Sequence, residues 1–252
     1  MQPAHLLTIN GVTRDVYDDA GQGPTILFLH GNSSQWQHWA PQLRSFAGRY
    51  RCVAFDQRGF GTAEAPEGTS LTAMADDAAA LCAALGIGTV FAVGLSMGGA
   101  VAQVLALRHP ALSTAFAAAP PSLPVAPGGP VPTREQLRGA LELSFSAAFR
   151  QEEPALVGRL LDECLETDLA TLGRFAVEDV ADFDPAQVTT PALVIAGSAD
   201  ILAPAAGLRI LALSLPHAEY LEIAGSGHWL NIEQPEVFDA AVTAFFDRHP
   251  HR

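Results

Sequence analysis

A chain of 252 residues, 49% of them hydrophobic, is long enough for one large domain with a substantial core or for a domain carrying an insertion, and two independent domains are disfavoured. Its 14 Lys+Arg stand against 27 Asp+Glu, a formal net charge of -13 that repels phosphate backbones and anionic membrane surfaces, so no nucleic-acid or membrane partner is expected. Cys52, Cys82 and Cys164 lie in apolar segments without any CxxC pattern, which suits reduced cysteines in a reducing compartment.

The N-terminus Met1-Gln2-Pro3-Ala4-His5 lacks a charged region followed by an apolar one, and no apolar run reaches membrane-spanning length, so the expected location is the cytoplasm. Asn10-Gly11 between Leu6–Ile9 and Val12–Tyr17 is a hairpin signal and predicts two opening antiparallel strands. Thr25–Leu29 is a continuous apolar run, expected of a strand buried on both faces of a parallel sheet, and it empties into His30-Gly31-Asn32-Ser33. Trp36, Trp39 and Leu43 have helical spacing, and Arg51–Asp56 reads as the next buried strand, ending in Gln57-Arg58-Gly59-Phe60-Gly61. At this early strand end Asp56 and Arg58 are expected to form a structural ion pair. An Ala-rich helix over Met74–Leu85 precedes a strand over Thr89–Leu95. This alternation predicts an α/β chain with a mostly parallel sheet and helices on both faces, whose ligands bind outside the carboxyl ends of the strands.

The pattern breaks at Pro120-Pro121. From Thr133, expected to cap a helix, the segment is helical in character, with Leu137, Leu141, Phe145 and Phe149 at spacings of four. Residues 121–186 are therefore expected to form a helical lid, with 1–120 and 187–252 as the core domain. The sheet resumes with a strand over Pro191–Ala196 and another over Glu219–Ile223, and Pro235 opens a final helix through Phe246.

Gly94-Leu95-Ser96-Met97-Gly98 sits where the Val90–Val93 run turns into the helix that follows, a sharp turn that holds its serine in strained backbone with Oγ exposed. A serine hydroxyl needs a base within hydrogen-bond reach, and that base needs a carboxylate to orient it. Asp200 and His228 follow in chain order, each after a predicted strand, at what reads as three successive strand ends. Ser96, Asp200 and His228 are thus the expected catalytic residues, with Asp184 as the alternative carboxylate. His30, His38, His109 and His217 lack metal-ligand spacing, so neither a metal nor an organic cofactor is expected.

With these motifs in place, namely the elbow at 94–99, His30-Gly31-Asn32, Asp56–Gly61, Asp200 after Gly197-Ser198-Ala199 and Gly227-His228-Trp229, the sequence resembles the α/β-hydrolase fold superfamily. It looks most like the small lid-bearing carboxylester, enol-lactone and C-C bond hydrolases, where Asn231–Pro235 is also a familiar pattern. The resemblance implies an oxyanion hole from the backbone N–H groups of Asn32 and Met97. It implies hydrolysis of an ester or lactone of a small, largely apolar substrate through an acyl-enzyme. Cleavage of a ring-fission product, perhydrolysis by the same triad, and a receptor that kept the fold stay open as alternatives. Gly31, Trp36, Phe60 and Trp229, with Leu137, Leu141 and Phe145 of the lid, are the expected pocket lining. The departure from the common RGxGxS pattern at Ala63 is expected to be structurally minor. The oligomeric state is left open, a homo-oligomer included.

Overall fold

The computed structural model of the chain describes residues 4–66, 69–121, 131–172 and 183–249. Asn10 and Gly11, at φ 48° and 78°, turn β1 (His5–Ile9) back onto β2 (Val12–Asp18) in antiparallel register, Ile9 opposite Val12. The sheet continues with β3 (Thr25–Leu29), β4 (Arg51–Phe55), β5 (Val90–Ser96), β6 (Ser113–Pro121), β7 (Ala192–Gly197) and β8 (Ala218–Ile223). Its eight strands run in the order β1-β2-β4-β3-β5-β6-β7-β8, and every pairing from β4 onward is parallel. The mostly parallel sheet is the one the alternating pattern predicts.

Along the chain the helices are α1 (Ala40–Phe46, entered through a 3-10 turn at Trp36–Trp39), α2 (Leu71–Ala84), α3 (Met97–Arg108), α4 (Arg134–Ser144), α5 (Ala147–Glu152) and α6 (Pro154–Cys164). They continue with α7 (Leu169–Leu172), α8 (Ala205–Ser214), α9 (Leu230–Glu233) and α10 (Pro235–Arg248). The unbroken apolar strands are explained by a core on each face. On one face Leu27, Leu29, Val53 and Phe55 meet α2, α3 and α8; on the other Ile26, Phe28, Phe91 and Val93 meet Trp39, Leu43 and the α10 phenylalanines. Phe91 stacks on Phe246 with ring centroids 4.1 Å apart.

α4 to α7 fall between β6 and β7, inside the 121–186 interval; residues 122–130 and 173–182 of that interval lie outside the described residues. Thr133 caps α4, accepting the Gln136 N–H at 3.2 Å while the Gln136 side chain accepts the Thr133 N–H at 2.9 Å. The every-fourth apolar pattern does not lie on one helix. Leu137 and Leu141 are on α4, but Phe145 is extended (φ -81°, ψ 148°), because Ser146 starts a new helix by accepting the Phe149 N–H.

The expected Asp56–Arg58 ion pair is not formed. Arg58 instead forks onto Asp77 of α2 (2.6 and 2.9 Å), which also binds Arg14 at 2.7 Å, and all three side chains are buried. Asp56 is occupied with the backbone N–H groups of Trp36 and Thr62. Burial pulls the Arg14 guanidinium below its ordinary range, an effect that Asp77 opposes. Asp77→Ala would leave two guanidinium charges in the interior with no counter-charge, so it is expected to cost about 4 kcal/mol of stability. Urea unfolding of the variant checks this; a loss below about 1 kcal/mol would show that the cluster is solvated.

Candidate active site

Ser96 ends β5 and precedes α3 at φ 55°, ψ -120°, a left-handed conformation that a non-glycine residue holds only when its surroundings impose it. The surroundings here are backbone. A Cβ on Gly94 would run into Gly98 and Gly99, and one on Gly98 into the carbonyls of Leu29 and His30, so the turn closes only with glycine at both positions. Met97 opens α3, and its N–H is among those left without an intrahelical partner at the positive end of the helix.

The Asp200 and His228 side chains meet across two strand ends. His228 Nδ1 lies 2.8 Å from Asp200 Oδ2, with both residues buried. Asp200 Oδ1 accepts the N–H groups of Leu202 and Ala203 at 2.8 and 3.0 Å, which turns Oδ2 toward the ring. A carboxylate only accepts, so Nδ1 carries the proton and Nε2 keeps a free lone pair. Asp184, the alternative carboxylate, caps the 3-10 turn Pro185–Gln187 through the Ala186 N–H. The strand ends are not successive: β6 separates β5 from β7.

Ser96 and His228 face a common cavity of about 310 Å³, lined also by Gly31, Asn32, Met97, Leu137, Leu141 and Trp229. Ser33, Leu95, Ala140, Ser144 and Leu202 complete the lining and were not among the sequence candidates. Ala140 and Ser144 share α4 with Leu137 and Leu141, at i+3 spacings from them, and that periodicity could have found them. Three expected lining residues lie elsewhere. Trp36 is fully buried and stacked on Tyr17, Phe60 is buried edge-on to His30, and Phe145 is sandwiched between Trp229 and Phe149. Each ring packs where the core has room, which residue type alone does not reveal.

The wall of the cavity and the histidine loop are tied together. Ser144 O accepts the His228 N–H at 2.7 Å, and Ser144 Oγ accepts the Trp229 indole N–H at 2.8 Å. The Glu233 carboxylate accepts the N–H groups of Gly227 (3.0 Å) and Ser146 (3.2 Å). Glu233 belongs to the Asn231–Pro235 pattern, so its position was legible although its task was not.

His30 anchors the loop that carries Asn32. Its Nε2 accepts the Gln57 N–H at 2.9 Å, which leaves Nδ1 to donate to Gly31 O at 2.8 Å, so the ring is neutral. Burial pushes its pKa down to about 4, with Asp56 opposing. A histidine depressed in the folded state costs nothing above the unfolded value near 6.5, and stability drains away as pH falls from there toward 4. The loss from this residue is expected to reach roughly 3 kcal/mol. Urea unfolding at pH 7, 5.5 and 4.5 measures it, and His30→Gln, less stable at neutral pH, is expected to show a shallower decline. Parallel pH profiles for the two proteins would contradict the assignment.

Among the described residues no cluster of three or more His, Cys, Asp or Glu could hold a metal ion, and the three cysteines are free and buried. No helix among the described residues is long and apolar enough to cross a membrane. The model of the alpha/beta hydrolase family matches residues 26–241. The chain is 31% identical over 252 residues to the "Putative non-heme bromoperoxidase BpoC" of Mycobacterium tuberculosis (strain ATCC 25618 / H37Rv), covering 91% of this chain and 96% of that protein. It is 26% identical over 240 residues to 3-oxoadipate enol-lactonase 2 of Acinetobacter baylyi (strain ATCC 33305 / BD413 / ADP1), with 89% of each covered. Its fold is similar to the crystal structure of the enol-lactonase from Burkholderia xenovorans LB400, with a TM-score of 0.85 at 26% identity over 96% of this chain and 100% of that one.

Proposed function

We propose that this chain, which belongs to the alpha/beta hydrolase family and is a hydrolase, cleaves carboxylic esters or lactones of small, largely apolar substrates through an acyl-enzyme on Ser96. The observation that carries the reading is the buried Asp200–His228 pair beside a strained Ser96 at one cavity. Ser96 Oγ attacks the acyl carbon while His228 Nε2 takes its proton, and the carbonyl oxygen becomes an oxyanion held by the Asn32 and Met97 N–H groups. Donors aimed at that developing charge are typically worth about 3 kcal/mol each. Collapse breaks the ester C–O bond and His228 returns the proton to the leaving alkoxide; for a lactone the alcohol stays attached to the acyl group. A water, deprotonated by His228, then attacks the acyl-enzyme and releases acid and Ser96. The relatives named enol-lactonases support the bond type. The apolar lining, Leu95, Met97, Leu137, Leu141, Leu202 and Trp229, supports the substrate's character.

A panel of p-nitrophenyl esters, lactones and dienones tests the bond type. Turnover of esters or lactones is expected, and turnover confined to dienones would overturn it.

In this reading residues 121–186 act as the lid that selects substrates, through α4. Leu137→Ala and Leu141→Ala are expected to raise kcat/KM for long-acyl relative to acetate esters about tenfold, the scale of a methylene-sized change in an apolar pocket. Phe145→Ala serves as the contrast. Its ring is buried under Trp229, so the variant is expected to lower Tm and depress all esters alike. A uniform loss at 137 and 141 as well would refute the selective role.

A further inference from the structure

A second hydrogen-bonded relay lies outside the catalytic constellation. Ser34 Oγ is 2.6 Å from His38 Nδ1, and His38 Nε2 is 3.0 Å from Glu163 Oε2 on α6. Ser34 and His38 are buried, and Glu163 is partly exposed. The carboxylate can only accept, so in the neutral ring Nε2 carries the proton and Nδ1 accepts from the Ser34 hydroxyl. The His38 bond holds the Glu163 carboxyl below the usual carboxylate range. The imidazole also sits edge-on to Trp229, with centroids 5.4 Å apart, next to His228. His38 therefore touches the loop of Asn32, the loop of His228 and the α6 helix at once.

From this geometry we infer that His38 is a positioning residue: through Ser34 it fixes the backbone that aims the Asn32 N–H into the cavity, using Glu163 of α6 as its anchor. The inference rests on the hydrolase reading above, because it assigns His38 a task in oxyanion stabilisation. The loop has reason to need such a hold. Ser33, between Asn32 and Ser34, is a non-glycine residue at φ 54°, and strained backbone of this kind persists only where neighbours over-determine it. His30 holds the loop from one end through Gln57 and Gly31; Ser34 is held from the other. A donor that serves the developing oxyanion stabilises the transition state more than bound substrate, so its misplacement lowers kcat and leaves KM nearly unchanged.

The test uses four proteins: wild type, His38→Phe, His38→Gln and Glu163→Ala. Phenylalanine keeps the ring against Trp229 but forms neither hydrogen bond, whereas glutamine restores one acceptor for Ser34 and one donor for Glu163. With p-nitrophenyl acetate, His38→Phe is expected to lose roughly 30-fold in kcat, within what losing an oxyanion donor costs, with KM changed less than about threefold. His38→Gln is expected to recover to within about threefold of wild type. Glu163→Ala, at a partly exposed position, is expected to give an intermediate kcat loss with an unchanged Tm, and it keeps the test decisive should His38→Phe not fold. Three results overturn the inference: an unchanged kcat in Glu163→Ala or in folded His38→Phe, a loss carried by KM, or no rescue by His38→Gln. If wild type turns over no ester or lactone, the hydrolase reading itself has failed and this inference falls with it; an active wild type with indifferent variants removes only the inference.

Discussion

Ser96→Ala is expected to fold like wild type and to lose about six orders of magnitude in kcat, the scale on which removing a triad nucleophile acts in serine hydrolases. The fold is insensitive because alanine meets the same φ of 55° that serine does, so the strain is unchanged. Ser96→Gly should relax that strain and gain about 1 kcal/mol while being equally inactive. An organophosphonate reagent should label wild type at Ser96 alone and leave Ser96→Ala unlabelled. Mass spectrometry of the labelled peptide reads the outcome, and labelling at any other hydroxyl, or residual activity above about 1% in the alanine variant, removes Ser96 from the chemistry.

Asp200→Asn carries the second largest expected effect, about ten-thousandfold in kcat. The cause can be traced atom by atom. Two backbone N–H groups, from Leu202 and Ala203, point at Oδ1, and an amide nitrogen cannot accept them, so the asparagine oxygen is held on that side. The NH2 group then occupies the Oδ2 place facing His228 Nδ1. Facing a donor, Nδ1 must accept, the ring proton moves to Nε2, and Nε2 can no longer take the proton of Ser96. Substrate binding is untouched in this scheme, so KM should hold while kcat collapses. The effect should shrink for Asp200→Ala, which leaves the tautomer unforced although the ring is less well held. If Asp200→Asn retained near-wild-type turnover, a different carboxylate would have to orient His228.

The candidate site residues legible in the sequence were those whose chemistry is written in local pattern. Gly94 and Gly98 mark a turn too tight for any side chain, and the strand before Ser96 and the helix after it are apolar runs of unmistakable length. Asp200 and His228 were legible for the same reason, as polar residues where buried strands end. Less local features are not written in such patterns. Local spacing pairs Arg58 with its neighbour Asp56, yet its partner Asp77 is 19 residues away on α2, brought there by packing that no local spacing encodes. Trp36, Phe60 and Phe145 have the side chains of pocket residues and the positions of core residues.

Periodicity, glycine placement and charge, all properties of neighbours in the chain, were sufficient to determine the layered α/β architecture, the hairpin at Asn10-Gly11 and the glycine-flanked turn at Ser96. The Asp200–His228 contact, the Arg14–Asp77–Arg58 cluster, the break in the every-fourth pattern at Phe145 and the Ser34–His38–Glu163 relay were decided only in three dimensions. The physical reason is range. A strand or a turn is stabilised by residues a few positions apart, whereas a hydrogen bond such as that from His38 to Glu163 joins residues 125 positions apart, and its donor and acceptor meet only after the sheet has placed their helices.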